Sequence, residues 1–387
     1  MPLSRLFLFL ATSLLVAADL HDALSPVSPN FSPGPKYADS TRLFQGIPGL
    51  ERAPNGRLWA VWYAGGPDEP TEGPGNYVVV VTSTDDGRTW SEPQLVIDPP
   101  GDVRAYDPTL WHDPEGRMWL FWAQSSHKWD GRSGVWEMHT SNSGDGQPRW
   151  SSPRRICDGI MMNKPTAVTN GDWLLPVSVW AQKPGDGTRP EHRRDLGALI
   201  GANAFISRDR GHTFTHLGQT RASDSIFDEH SIVQRRDGTL WMLLRTKSGI
   251  AESVSTDSGT TWTPAQPSPI PHVNSRFFIR RLESGNLLLV RHNPPDRKTR
   301  SHLTAYLSED DGKSWIGGMM LDERVGVSYP DGIQDTRGVI RIIYDFERTK
   351  SRQILMAVFT EDDVRSGQPS AEARLRVEVN QAGPAGR

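Results

Sequence analysis

The sequence predicts an all-β fold, a six-bladed β-propeller, and three observations lead there. A Ser-x-Asp-x-Gly-x-x-aromatic box recurs along the chain, aromatic-rich β runs alternate with the boxes, and glycine (36) and proline (30) punctuate the 387 residues too often for a helical bundle. The boxes are Ser83-Asp85-Gly87-Trp90, Ser207-Asp209-Gly211-Phe214, Ser255-Asp257-Gly259-Trp262 and Ser308-Asp310-Gly312-Trp315. A degraded fifth copy reads Ser143, Asp145 and Trp150, with Gln147 in place of the glycine. Each box suits a hairpin turn, because Asp bonds the amides ahead of it, Gly takes positive φ and the aromatic folds back over the hairpin.

The strands follow in order. Turns containing Gly precede Arg57-Leu58-Trp59-Ala60-Val61-Trp62-Tyr63, Arg117 to Trp122, Asp172 to Pro176, Thr239 to Leu244 and Asn286 to Val290, and further β runs such as Tyr77 to Val81 and Leu303 to Leu307 lead into boxes. A strand, a Gly turn, an aromatic strand, a variable loop, a third strand and a box make up most of one four-stranded sheet. Such sheets stack radially. Five boxed units and the strands around Val339–Tyr344 and Ile354–Phe359 give six blades, with seven as the alternative. The ring is expected to close by pairing residues 41–50 with the last blade, which removes exposed sheet edges. The 14 Trp serve mainly as packing.

Outside the propeller, assigned to residues 41–366, lie three segments. Residues 1–18 read as a cleaved export signal: Arg5, an apolar run from Leu6 to Ala17 too short to span a bilayer, and small residues at Val16-Ala17-Ala18. Residues 19–40, with Pro26, Pro29, Pro33 and Pro35, read as a leader or strap, and 367–387 as a loose tail. The mature chain is therefore expected in a periplasmic or extracellular space, without a membrane span. A net charge of −3 offers no general attraction to nucleic acid. One cysteine, Cys157, excludes an intramolecular disulfide, and no His or Cys spacing specifies a metal; neither metal nor cofactor is expected.

Two stretches carry the chemistry. Arg300-Ser301-His302-Leu303 opens a strand that runs into the fourth complete box, and Tyr329 follows in Val327-Ser328-Tyr329-Pro330-Asp331-Gly332; Glu229-His230-Ser231-Ile232 opens another that reaches Arg245 one strand later. With the boxes, these resemble the sialidase superfamily of six-bladed propellers over residues 41–362. The resemblance implies Tyr329 as nucleophile, Glu229 as the group that takes its proton, and Arg245 and Arg300 as a clamp for a substrate carboxylate. The chemistry explains the residue types. A sialoside bears a carboxylate on its anomeric carbon, which repels an Asp or Glu nucleophile but not a neutral Tyr. Arginine binds carboxylate through planar paired bonds.

The first blade departs from the family. Where sialidases have Arg-Ile-Pro, this chain has Gly46-Ile47-Pro48, so one clamp arginine is missing, and Arg42, Arg104 or Arg276 are the stand-ins to consider. The resemblance places the acid/base carboxylate in the loop 65–76, with Glu72 the best positional match and Asp68 and Glu69 behind it. Arg104, Asp107, Asn163 and Lys164 sit at the starts of inner strands and are candidate substrate contacts, as are His230 and His292 beside the proposed catalytic residues. The expected partner is a glycan. A secreted exo-glycosidase acting on an acidic terminus leads, a uronate-directed hydrolase or lyase using Arg291-His292-Asn293 and Tyr329 is the alternative, and a glycan-binding propeller without turnover is the third reading.

Overall fold

A computed structural model describes residues 22–127, 130–181 and 194–383; the export signal expected at 1–18 lies outside them. Six four-stranded antiparallel sheets surround one axis, each built from four consecutive strands. The first strand of each sheet is innermost: Phe44–Arg52, Val103–His112, Thr166–Ala167, Asp228–Gln234, Phe278–Arg281 and Val327–Gln334 in blades 1 to 6. Six blades are thus observed. No helix among the described residues is long and apolar enough to cross a membrane.

Ring closure differs from expectation. Residues 44–52 pair within their own blade, along Leu58–Gly65, and lend no strand to blade 6. Two buried carboxylates of blade 6 close the ring instead: Asp345 Oδ2 accepts the Ile47 amide at 2.8 Å, and Asp331 Oδ2 the Leu50 amide at 2.9 Å. Beside one backbone bond, from the Gln45 amide to the Arg348 carbonyl at 3.1 Å, these side-chain acceptors replace the missing strand-to-strand ladder.

The segment read as a tail is also structural. After the short helix Glu361–Ser366, the strand Arg374–Gln381 pairs with Gln353–Phe359 as the outer edge of blade 6. Its few apolar residues face the blade while the rest meet solvent, so its composition resembles that of a loop. Ahead of blade 1, Asn30 exchanges backbone hydrogen bonds of 2.8 and 2.9 Å with Val96, laying the 22–40 segment along that blade's outer strand.

Four boxes share one bonding pattern. In the first, Ser83 Oγ donates to Asp85 Oδ1 (2.8 Å), the Gly87 amide donates to Ser83 Oγ (2.9 Å) and the Thr89 amide to Asp85 Oδ1 (2.9 Å). The glycines also serve packing between blades: a Cβ on Gly211 would lie 2.5 Å from Trp119, and one on Gly312 would lie 2.5 Å from Trp241. The degraded copy has a different register from that predicted. Thr140 and Asn142 take the Ser and Asp places, Asn142 Oδ1 accepting from Thr140 Oγ1 (2.7 Å) and the Arg149 amide (3.0 Å), while Ser143 and Asp145 belong to an insertion before Trp150.

A polar plug fills the axis. Lys164 Nζ donates to Leu50 O (2.6 Å) and Leu110 O (2.5 Å) and lies 3.3 Å from Asp331 and 3.4 Å from Glu51. Asn163 donates to the Glu229 and His230 carbonyls and accepts from Arg276 Nε at 2.8 Å. Arg276 in turn approaches Asp331 at 3.6 Å, so all six blades contribute to one cluster. Lys164, Asn163 and Arg276, expected as substrate contacts or a clamp stand-in, are committed to this plug.

Lys164→Met leaves two carbonyls and two carboxylates buried without this cation, and is expected to lower unfolding free energy by about 3–5 kcal/mol in urea titration. Burial alone would raise the Glu51 carboxyl, but Lys164 and His112 outweigh it and hold the group at about 2, below its ordinary 4.5. A depressed carboxyl stabilises the fold above its ordinary value and loses that contribution as pH falls toward its folded value. Wild-type stability is therefore expected to drop between about pH 4.5 and 2, and Glu51→Gln to flatten that drop.

Candidate active site

One irregularity builds the site. In four innermost strands the pairing register gains one residue at the same level: between Gly46 and Gly49, Tyr106 and Thr109, Asp228 and Ser231, and Ser328 and Asp331. At each bulge a non-glycine residue has positive φ: Ile47 at 58°, Asp107 at 47°, Glu229 at 40° and Tyr329 at 53°. All four line a single cavity of about 260 Å³ at one end of the axis, together with Tyr63, Glu72, Arg104, Tyr106, Met162, Trp180 and Phe227. Three of the four precede proline, which has no amide to give the ladder. Backbone in this region costs about 1–3 kcal/mol per residue, and such strain collects where side chains must be aimed.

Tyr329 and Glu229 meet over Arg245. Arg245 Nη1 donates to Glu229 Oε1 at 2.6 Å and to the Tyr329 hydroxyl at 3.2 Å, and that hydroxyl lies 3.4 Å from the same Glu229 oxygen. All three side chains are buried. Glu229 Oε2 is buried without a hydrogen-bond partner, so the carboxylate retains accepting capacity. Asn274 links the two predicted clamp arginines: its Oδ1 accepts from Arg245 Nε at 2.8 Å and its carbonyl from Arg300 Nη2 at 3.0 Å. The Arg300 guanidinium stands 5.5 Å from the centre of the Tyr329 ring.

A third arginine was missed in the sequence. Arg348, on the turn after the second strand of blade 6, stands 5.2 Å from the Tyr329 ring and is ion-paired with Glu72. It fills the space over Gly46, where a Cβ would lie 2.3 Å from its Cδ and 2.6 Å from its Cγ. The glycine that removes an arginine from blade 1 thus admits one from blade 6. No sequence motif marks Arg348; the only signal is the vacancy at Gly46. Trp180, Phe227, Tyr63 and Asn274 were likewise not predicted, since each reads as ordinary core or loop.

Other predicted residues divide. Arg104 lies 3.8 Å from the Tyr106 ring centre and lines the cavity beside Asp107 and Glu72. Arg42 is fully buried against Tyr37, Asp39, Gln45 and Asn380, away from the cavity. His230 bonds Asn203 O at 2.9 Å and Ser178 at 3.3 Å inside the blade 3–4 wall, and His292 bonds Val327 O at 2.9 Å; neither lines the cavity. His230 follows the inward-turned Glu229 on a bulged strand, which turns its ring outward into the packing, while His292 ends the regular second strand of blade 5, Leu287–His292. Burial lowers both to about 4, leaving them neutral near pH 7.

The carboxyls are pushed apart. Burial, reinforced by Glu72 and Glu229, raises Asp107 to about 7 despite Arg104 and Arg276. Burial also opposes charge on Glu72, but Arg348 and Arg104 outweigh it and lower that group. For Tyr329, burial and then Glu229 raise the phenol above its ordinary 10, against the pull of Arg245, Arg300 and Arg348. The resting tyrosine is therefore protonated, and the arginines alone do not ionise it. A larger hollow of about 560 Å³ opens at the other end of the axis, lined by residues such as Trp111, Arg235 and Arg280, and contains none of this constellation. No group of three metal-ligating side chains occurs among the described residues.

The profile of the BNR repeat-like domain family matches residues 52–342. A sialidase of Micromonospora viridifaciens is 27% identical over 315 residues, covering 70% of this chain and 45% of that protein. A sialidase of Bacteroides fragilis (strain YCH46) is 24% identical over 301 residues, covering 68% and 53%. The chain spans about half the length of these curated relatives. Among solved structures, the intramolecular trans-sialidase from Ruminococcus gnavus, in complex with oseltamivir carboxylate, superposes with a TM-score of 0.63 at 14% identity, covering 87% of this chain and 98% of that one. That likeness establishes the propeller.

Infrared titration is expected to show a protonated carboxyl with a midpoint near pH 7, absent from Asp107→Asn. A difference spectrum without that band would mean the carboxyl is ionised as in water.

Proposed function

Because the chain belongs to the BNR repeat-like domain family, within the sialidase superfamily, we propose that it is a retaining exo-glycosidase that removes a terminal acidic sugar, sialic acid or a relative, from glycans outside the cytoplasm. The observation that supports this most is the Arg245 bridge, with Glu229 at 2.6 Å and the Tyr329 hydroxyl at 3.2 Å.

Each group then has one task. Arg245, Arg300 and Arg348 hold the substrate carboxylate, and paired bonds to guanidinium fix the anomeric carbon against the phenol. The Tyr329 oxygen attacks that carbon while its proton passes to Glu229 Oε1, so a neutral nucleophile approaches the anionic sugar and is ionised only as the bond forms. Glu72 protonates the departing glycosidic oxygen. In the second half a water, deprotonated by Glu72, attacks the same carbon from the face the leaving group vacated, and the phenol regains its proton from Glu229. Asp107, uncharged near neutral pH, offers a hydrogen bond to a sugar hydroxyl without repelling the carboxylate.

A lyase reading is less well supported. It uses His292 or Tyr329 to take the proton beside a uronate carboxylate, and His292 is bonded to Val327 O behind the blade wall. A binding-only reading leaves the strained Tyr329 and Glu229 backbones without a purpose.

Assayed on aryl and natural sialosides, Tyr329→Phe is expected to melt with the wild type and to lose at least about a thousandfold in turnover. Undiminished turnover in that variant would reject Tyr329 as nucleophile, and a product absorbing in the ultraviolet from uronate glycans would support the lyase.

A further inference from the structure

We propose that Glu72 occupies, on Arg348, the place of the substrate's carboxylate, so that an acidic sugar entering the cavity takes the guanidinium from Glu72 and frees that carboxyl to act as the acid. The inference rests on the glycosidase reading above and adds to it a reason why only a carboxylate-bearing sugar readies the site.

The three arginines around Tyr329 are held differently. Arg245 is paired with Glu229, whose side chain is 3% exposed, and with Asn274; Arg300 is held by the Asn274 carbonyl. Arg348 has its charged hydrogen bond to Glu72, whose side chain is 42% exposed. A pair with one partner half in water contributes little net stability and exchanges readily for a better-placed anion.

The loop lets the exchange occur by side-chain rotation alone. Asn76 bonds it on both sides of Glu72, its Nδ2 donating to Thr71 O at 2.9 Å and its Oδ1 accepting the Gly73 amide at 2.8 Å. The backbone is pinned while the Glu72 side chain swings. Arg348 stays over Gly46, between the Phe44 and Tyr329 rings at 6.0 and 5.2 Å.

The charges around the pair fix the consequence. Glu72 faces Arg348 and Arg104 and the Tyr63 hydroxyl, while Arg348 faces Asp345, Tyr329, Tyr63 and Glu72. Once a substrate carboxylate neutralises Arg348, Glu72 keeps only Arg104 as a counter-cation and has a like charge beside it, and both changes favour its protonated form. The carboxyl then takes a proton from solvent, and that proton passes to the glycosidic oxygen as the C–O bond breaks and the Tyr329 oxygen bonds to the anomeric carbon. A neutral sugar leaves the ion pair intact and Glu72 unprotonated.

Titration calorimetry with oseltamivir carboxylate and its neutral ethyl ester tests this on the wild type and on Glu72→Gln, with Glu72→Ala as a second variant and melting curves to verify folding. At about pH 5, above the ordinary glutamate value, the acid is expected to bind Glu72→Gln about fivefold more tightly than the wild type, and the ester to bind both alike. Runs in buffers of different ionisation enthalpy are expected to show proton uptake when the acid binds the wild type and none with either variant. Equal or weaker binding of the acid to the variants, or no proton uptake by a wild type that binds it, overturns the exchange and leaves the glycosidase reading standing. A wild type that neither binds the acid nor cleaves sialosides overturns both.

Discussion

A single extra residue in an inner strand decides what this propeller presents at its axis. In a regular strand, alternate side chains face the two neighbouring blades, and none is directed along the channel. The bulges at Ile47, Asp107, Glu229 and Tyr329 break that alternation at one level in four blades, and each turns one side chain into the same cavity. Opposed strands thereby bring a phenol and a carboxylate within 3.4 Å although 100 residues separate them in sequence. The unfavourable φ values are held by what surrounds them: Asn163 grips the carbonyls of Glu229 and His230, and Asp345 receives Ser328 at 2.6 Å and Ile47 at 2.8 Å.

The plug beneath the cavity supplies the rigidity those bulges need. Lys164, Asp331, Arg276 and Asn163 draw groups from all six blades into one hydrogen-bonded cluster, so blade 3 is tied to the ring although its paired inner strand is only Thr166–Ala167. A buried cation is costly unless several acceptors surround it, and Lys164 has two carbonyls and two carboxylates. The same cluster separates the chemistry at one mouth from the larger hollow at the other. Electrostatics above the plug is poised on opposing terms: burial pushes Asp107 and Tyr329 toward their protonated forms, while the arginines keep Glu72 ionised.

Repetition made the fold legible in the sequence. Box spacing and Gly-led aromatic runs mark blades because each repeat must satisfy the same local turn and the same contact between neighbouring sheets, as Gly211 against Trp119 illustrates. Tyr329, Glu229, Arg245 and Arg300 were legible from their motifs and do come together. Features set by contacts across the ring were not. Arg348 reaches the cavity from a turn with no motif, and only the space over Gly46 explains its position. Lys164 looks like a funnel residue until its four acceptors are seen. His230 illustrates the limit of proximity in sequence, since the residue beside the inward-turned Glu229 points into the blade wall, and His292, on a regular second strand, is held by the Val327 carbonyl. The outer strand Arg374–Gln381 escaped notice because one of its faces is wet and its pattern is correspondingly polar.

If Tyr329 is the nucleophile, its oxygen becomes covalently bonded to the sugar. Incubation with a 2,3-difluoro sialic acid, whose C3 fluorine slows breakdown of a glycosyl-enzyme, followed by intact-mass measurement and peptide mapping, tests it directly. One added sugar per chain is expected, carried on the peptide that contains Tyr329. An enzyme that cleaves sialosides yet forms no adduct, or carries it on any other residue, would contradict it.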